Sequence, residues 1–256
     1  MHLWKECTIF EKSWVVFFTA SYLLLFGLGS INLLTLATAF MGSVCMFLGA
    51  KAKIINFYPG AVYTLLYAYQ CYLFGYQTVL YLHIFFHFPL QFVGAYMWHQ
   101  NRIGHPVMHE DIMFKQLFPK GWIAVLLGLI LATFFFALMV YSLGDGPPNL
   151  DILAFVFSIV ANILMIGRFV EHWVAWLCLN VFSISLWTYT ALTTAPTYSI
   201  AFMWLIFFGN CSYGCYRWNK MSKLQMEMFA GPYCSLEMAK PLKKMKANKT
   251  TILNFK

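Results

Sequence analysis

Eight long apolar runs, separated by short polar links, decide what this chain can fold into: about 14–29, 31–50, 56–75, 77–98, 121–143, 150–167, 173–193 and 197–216. A helix needs about 20 apolar residues to cross the hydrocarbon core of a bilayer. Inside that core the backbone must satisfy its own hydrogen bonds, which a helix does. Composition agrees, because 10% of the 256 residues are charged, against about 25% in a water-soluble domain. With 61% hydrophobic residues the chain could not clothe a soluble surface. Collagen-like, disordered and disulfide-knotted classes are excluded on the same counts. The formal charge of +8 does not indicate nucleic acid, since the charges fall between and beyond the apolar runs. The expected class is an all-α polytopic membrane protein with eight transmembrane helices.

The basic residues set the orientation. Lys5 and Lys12 precede the first run, Lys51 and Lys53 follow the second, and Arg102, Lys115 and Lys120 follow the fourth. Arg168 follows the sixth, and the remaining nine, from Arg217 to Lys256, follow the eighth. The links near residues 30, 76, 145 and 195 hold no Lys or Arg. All 17 basic residues therefore lie on one side of an eight-span chain, and basic loops stay cytoplasmic. Both termini are expected inside. The first run lacks a small-residue cleavage site and reads as a retained helix rather than a signal peptide. The basic tail is expected to lie near anionic headgroups. The seven cysteines read as small buried hydrophobes.

An internal repeat organises the runs. Gly94-Ala95-Tyr96-Met97-Trp98 and Gly214-Cys215-Tyr216-Arg217-Trp218 share the pattern G-x-Y-x-W, 120 residues apart. Lys51 and Arg168 hold matching places 117 apart, as do Asn32 and Asn149. Residues 1–30 are then a cytoplasmic segment and an extra helix, 31–98 and 150–218 two three-helix bundles, 99–149 a loop and linking helix, and 219–256 the tail. A single linking span leaves the two bundles parallel in the membrane.

Intramembrane polar and aromatic residues are the candidates for function. On a helix, Trp173, Trp176, Asn180, Ser183 and Trp187 share one face. Two indoles and an amide so aligned suit a flat, hydrogen-bonding ligand. Asn56, Gly60, Tyr63, Tyr67 and Gln70 share a face of the corresponding first-half helix, with Tyr63 matching Asn180 at the 117 offset. Gln91, Asn210 and Tyr213 add further polar groups. Each could instead anchor at the interface or bond a neighbouring helix. His83 and His87 have helical spacing for a shared metal, but such sites need three or four ligands, so no metal or cofactor is expected. His105, His109, Glu110 and Asp111 read as a solvated turn. No carboxylate sits near the middle of a run, which favours a facilitative carrier over an ion-coupled pump.

The segments Lys51-x-Lys53-x-x-Asn56-x-Tyr58-x-Gly60, Pro89-x-Gln91-x-x-Gly94-x-Tyr96-x-Trp98 and Arg168-x-x-Glu171-x-Trp173-x-x-Trp176-x-x-x-Asn180 resemble the signatures of the PnuC family of B-vitamin transporters, over about residues 10–219. The resemblance implies a SWEET-like fold of two parallel three-helix bundles joined by one helix. It also implies a homotrimer that imports nicotinamide riboside by facilitated diffusion for NAD synthesis, with a cytosolic ribosylnicotinamide kinase trapping the product. The substrate-binding set is then Trp173, Trp176, Asn180, Gln91, Asn210, Tyr213, Tyr63 and Tyr67. Tyr63 departs from the family's usual glutamine, so another vitamin or nucleoside (thiamine, riboflavin, a deoxynucleoside) stays open. An indole face attracts a desolvated cation by ~2 kcal/mol, but thiamine and nicotinamide riboside are both flat cations. A membrane-embedded enzyme using Glu171, His172 and His99 lacks a nucleophile–base pair or metal set. A scaffold leaves the polar cluster without a purpose.

Overall fold

The computed structural model describes residues 2–102, 112–142, 150–193 and 198–229. The described residues are helical apart from short turns and links: α1 (His2–Lys5), α2 (Ile9–Gly27), α3 (Leu33–Ala50), α4 (Phe57–Leu73), α5 (Gln77–Leu82), α6 (Phe88–Gln100), α7 (Pro119–Ser142), α8 (Leu150–Ile166), α9 (His172–Thr193) and α10 (Tyr198–Phe229). A 3₁₀ turn, Ile54–Asn56, leads into α4, and a π-turn, His83–His87, joins α5 to α6 without a break. Each apolar run is therefore a helix. Five helical segments are long and apolar enough to cross a membrane: Ile9–Gly27, Leu33–Ala50, Val79–Gln100, Pro119–Phe136 and His172–Thr193, with Leu153–Ile166 a shorter apolar helix. On α7, Ile123, Leu126, Leu127, Ile130, Leu131 and Phe134 are all more than half exposed. A surface of that kind is insoluble in water and at home in lipid.

Local signals start the helices. Thr8 and Glu11 form a capping box, the Thr8 hydroxyl accepting from the Glu11 N–H at 3.2 Å and the Glu11 carboxylate from the Thr8 N–H at 2.7 Å. So α2 begins at Ile9, ahead of the apolar run. Asn32 caps α3 by accepting from the Thr35 N–H at 2.8 Å. At the other end of the chain, α10 continues past Trp218 to Phe229, so the segment after residue 218 begins as helix rather than as tail. Its extension holds the link before α7. The Phe114 N–H donates to Gln225 Oε1, and Gln116 Nε2 donates to Ser222 Oγ.

The two corners α3–α4 and α8–α9 are built alike, 116 residues apart rather than 117. Lys53 N–H donates to Leu48 O at 3.0 Å, and Phe169 N–H to Leu164 O at 2.9 Å. Ala52 and Arg168, with φ of 52° and 67°, take the left-handed conformation that lets each helix turn back on itself. Asn56 Nδ2 donates to Lys53 O, and His172 Nδ1 donates to Phe169 O, both at 2.6 Å. The corrected register pairs Ala52 with Arg168 and Thr64 with Asn180, not Lys51 with Arg168 or Tyr63 with Asn180. Asn149, the other half of the Asn32 match, lies outside the described residues. At the second corner, Lys115 exchanges backbone hydrogen bonds with Arg168 and Val170. Burial and the nearby Arg168 charge lower the Lys115 pKa from its usual value.

The G-x-Y-x-W motifs clamp these corners. A Cβ on Gly94 would lie 2.3 Å from the Phe57 ring, and one on Gly214 would lie 2.5 Å from the Trp173 ring. Both close approaches need glycine. Trp98 Nε1–H donates to Met165 O at 3.1 Å, while Trp218 Nε1–H donates to Gly49 O at 3.0 Å. Each indole thus crosses from its own segment to the carbonyl end of α8 or α3. Helix packing follows the same exchange, α10 lying on α3 and α6 on α8.

Candidate functional site

Between α3, α4, α6, α8, α9 and α10 lies a cavity of about 110 Å³. A buried water needs roughly 10–15 Å³ on this measure, so the space holds several waters or part of a small organic molecule. Buried aromatics bound it at both ends. Trp98 and Trp173 stand near the corners, and Tyr67, Trp187 and Trp204 near the other end. Trp187 Nε1–H donates to Tyr67 OH at 3.0 Å, which fixes both rings.

Of the eight residues expected at a binding site, Tyr63, Tyr67, Gln91, Trp173 and Trp176 line this cavity. Tyr63 and Tyr67 stack on successive turns of α4 with centroids 5.5 Å apart. Gln91 reaches across from α6 toward Gly60, where a Cβ would meet its Oε1 at 2.4 Å. The amide end of Gln91 therefore occupies the space the glycine leaves. The buried Trp173 Nε1–H has no hydrogen-bond partner among the described residues, an unusual state for a buried donor.

Asn180, Asn210 and Tyr213 are placed elsewhere. Asn180 is fully buried and donates to Trp176 O at 2.7 Å and to Cys211 Sγ at 3.3 Å. It braces α9 against α10 behind the lining. Asn210 Oδ1 accepts from Trp14 Nε1 at 2.8 Å, tying α10 to α2. Tyr213 OH donates to Glu11 Oε1 at 2.7 Å, again toward α2. The helical spacing put Asn210 and Tyr213 on polar faces, but those faces meet the extra helix, whose position the repeat pattern left undetermined.

Among the polar groups lining the cavity that were not assigned to the binding set from the sequence are His83, His87, Ser158 and Asn162. Their signals were present as His83 and His87 four residues apart, and Ser158 and Asn162 four apart, which puts each pair on one helical face. The histidine pair reads as an incomplete metal site when only metal chemistry is considered. Among the described residues no group of three or more metal-ligating side chains occurs. Glu171 accepts from the Leu117 N–H at 2.9 Å and serves the link before α7. His105, His109, Glu110 and Asp111 lie outside the described residues.

No Lys, Arg, Asp or Glu stands among the described residues lining the cavity. The lining is aromatic, with neutral amide, hydroxyl and imidazole groups set into it. Such a surface accepts a flat ring, attracts a delocalised cation through its indole faces, and offers no counter-ion to a phosphate.

Comparison with known proteins gives a consistent result. A family model described as "Nicotinamide mononucleotide transporter" matches residues 32–220. The chain is 30% identical over 218 residues to the nicotinamide riboside transporter PnuC of Neisseria mucosa, covering 84% of this chain and 83% of that protein. It is also 30% identical over 224 residues to the nicotinamide riboside transporter PnuC of Haemophilus influenzae, covering 86% and 92%. A solved structure, the crystal structure of the vitamin B3 transporter PnuC, matches with a TM-score of 0.79 at 29% identity, covering 85% of this chain and 94% of that one.

Proposed function

This chain belongs to the nicotinamide mononucleotide transporter family, among its PnuC members, and from that premise we propose that it carries nicotinamide riboside across the membrane through the cavity between its helices. Membership makes it a membrane transporter and not an enzyme. The observation that carries the choice of substrate is the uncharged lining. Nicotinamide mononucleotide would bring a phosphate into a site with no cation among its described lining residues, and burying an unpaired charge is costly. Nicotinamide riboside brings a pyridinium ring, which Trp173, Trp176 and the stacked Tyr63 and Tyr67 can face, and ribose hydroxyls, which neutral groups such as Gln91 can bond.

The mechanism we propose is facilitated diffusion by alternating access. Eight spans place both termini in the cytoplasm of a bacterial cell with its inner membrane as the site of action. The segments 31–98 and 150–218 form two parallel bundles of a SWEET-like fold, joined through 99–149. Residues 1–30 add an extra helix and 219–256 a terminal segment, and the protein assembles as a homotrimer. Repeated corners and reciprocal tryptophan bonds support the two-bundle reading, since related halves can exchange roles between inward- and outward-facing states. A cytosolic ribosylnicotinamide kinase then draws net uptake by phosphorylating the product.

A binding panel on the purified chain, read by quenching of the cavity tryptophans, tests the substrate. Nicotinamide riboside is expected to bind more tightly than nicotinamide mononucleotide, thiamine, riboflavin or thymidine. Tighter binding of the mononucleotide would refute the charge argument, and tighter thiamine binding would assign the cavity to another cationic vitamin.

A further inference from the structure

Two histidines on one cavity wall carry fixed and opposite hydrogen-bonding roles. His83 Nδ1 lies 2.8 Å from Val79 O. A carbonyl only accepts, so Nδ1 holds the hydrogen and Nε2 presents a bare lone pair. His87 Nδ1 lies 3.0 Å from Asn162 Nδ2, which also donates to Ser158 O at 2.9 Å. The Ser158 carbonyl settles which end of the Asn162 amide is nitrogen. His87 Nδ1 therefore accepts, and its hydrogen sits on Nε2 as a donor.

Among the described residues no protein group bonds either Nε2. The π-turn brings the two rings to 4.7 Å between centroids. Tyr67 packs on His83 at 4.9 Å and Tyr63 at 6.5 Å, so the acceptor–donor pair opens beside aromatic walls. One lone pair and one N–H, carried by two rings 4.7 Å apart that both line the cavity, are the complement of a primary carboxamide.

We propose that His83 and His87 together read the carboxamide of a nicotinamide-type ligand, His83 Nε2 accepting an amide hydrogen and His87 Nε2–H donating to the amide carbonyl. This rests on the reading of the cavity as the site for nicotinamide riboside. The pair then selects the amide over its deamidated counterpart, because a nicotinic acid riboside carboxylate turns lone pairs toward the His83 lone pair. It also selects against 3-acetylpyridine riboside, which keeps the carbonyl and loses the N–H. Asn162 acts as a positioning residue by holding His87 in the donor tautomer.

The test is a ligand-by-variant cycle on the purified full chain, with nicotinamide riboside, nicotinic acid riboside, 3-acetylpyridine riboside and unsubstituted pyridinium riboside as probes. The wild type is expected to bind nicotinamide riboside roughly tenfold more tightly than the acetyl or the acid analogue, the worth of one well-placed hydrogen bond in a dry site. His83→Phe should lower nicotinamide riboside to the acetyl analogue's level and leave the acetyl analogue unchanged. His87→Phe should weaken both and preserve their ratio. Unsubstituted pyridinium riboside should bind both variants as it binds the wild type, which shows that the cavity is intact. If a phenylalanine variant fails to insert, His83→Met and His87→Met replace it with a flexible side chain of similar bulk.

Equal wild-type binding of the amide and acetyl analogues overturns the inference. So does an undiminished preference in His83→Phe. If both analogues lose affinity equally in both variants, the histidines read a ribose hydroxyl instead and the carboxamide assignment is wrong. Binding of none of the pyridine nucleosides by the wild type would be a failure of the substrate reading itself.

Discussion

The buried carboxylate of Glu11 is the strongest single tie between the extra helix and the rest of the protein, and truncating it gives a worked prediction. Glu11 is fully buried and accepts from Lys51 Nζ at 3.0 and 3.1 Å, Arg217 Nη1 at 2.8 Å and Tyr213 OH at 2.7 Å. Lys51 sits at the end of α3, and Tyr213 and Arg217 on α10. One side chain therefore pins α2 to both repeat segments. Lys51 is 2% exposed and Arg217 16%, and with Glu11 truncated to alanine Lys51 Nζ keeps Glu6 O at 3.3 Å as an acceptor. Removing one partner from a buried ion cluster costs about 3–5 kcal/mol, because a charge is left desolvated. At about 2–4 °C per kcal/mol for a chain of this size, the melting temperature in detergent should fall by roughly 6–20 °C. Glu11→Ala/Lys51→Met should recover much of the loss, since it removes the orphaned ammonium together with its partner. The assay is thermal unfolding of the purified variants, with the double-mutant cycle giving the coupling. A melting temperature for Glu11→Ala within about 2 °C of wild type would refute the argument, as would strict additivity in the double variant.

Trp176→Ala should weaken nicotinamide riboside binding roughly five- to thirtyfold by removing a ring face worth ~1–2 kcal/mol, with Trp176→Phe recovering part, both read by calorimetric titration. Asn180→Ala should lower the melting temperature and leave affinity unchanged, because its Nδ2 bonds Trp176 O and Cys211 Sγ and its side chain stands outside the cavity lining. Gly214→Ala and Gly94→Ala should each cost about 1–3 kcal/mol through overpacking, their added methyls meeting the Trp173 and Phe57 rings; thermal unfolding measures both. Uptake into proteoliposomes should equalise substrate across the membrane at a rate unchanged when proton and sodium gradients are collapsed.

How much of this could be read from the sequence follows from the range of the forces involved. Helices were legible because each apolar run reports its own burial against lipid, although α2 starts before its run and α10 continues to Phe229, where polar residues carry the helix on. The repeat was legible through Trp98 and Trp218, whose motif is local. Its register at the corners was misjudged by one residue. Charge matched Lys51 to Arg168, whereas the chain matches Ala52 to Arg168 through backbone conformation, which two different side chains hide. Trp173 and Trp176 both reach the cavity, as their shared helical face leads one to expect. Asn210 and Tyr213 were misplaced because their partners, Trp14 and Glu11, lie about 200 residues away, and no periodicity encodes a contact of that range. Glu11 was missed although Thr8-x-x-Glu11 has the form of a capping box. Its capping role was readable, but its burial depended on Lys51, Tyr213 and Arg217 converging on it.

The matching corners set off how unlike the two sides of the cavity are. At the 116 offset, Gly42 corresponds to Ser158, Met46 to Asn162, Gly60 to Trp176 and Tyr67 to Ser183. At the 120 offset of the third helices, His87 corresponds to Phe207 and Gln91 to Cys211. The frame repeats, then, while the lining does not. A repeated frame suits alternating access, because each half can take the other's position. An asymmetric lining suits a ligand whose two ends differ. The polar readers collect where α6 meets α8, with His87 bonded to Asn162. Where α10 meets α3, Phe207 lies against Gly42 so closely that a Cβ there would fall 2.3 Å from the ring. A histidine at 207 would consequently gain no second reading site. Met46 supplies no amide to fix its tautomer. The proposed carboxamide readers thus have no counterpart at the related position, so the reading sets the amide edge toward α6 and α8.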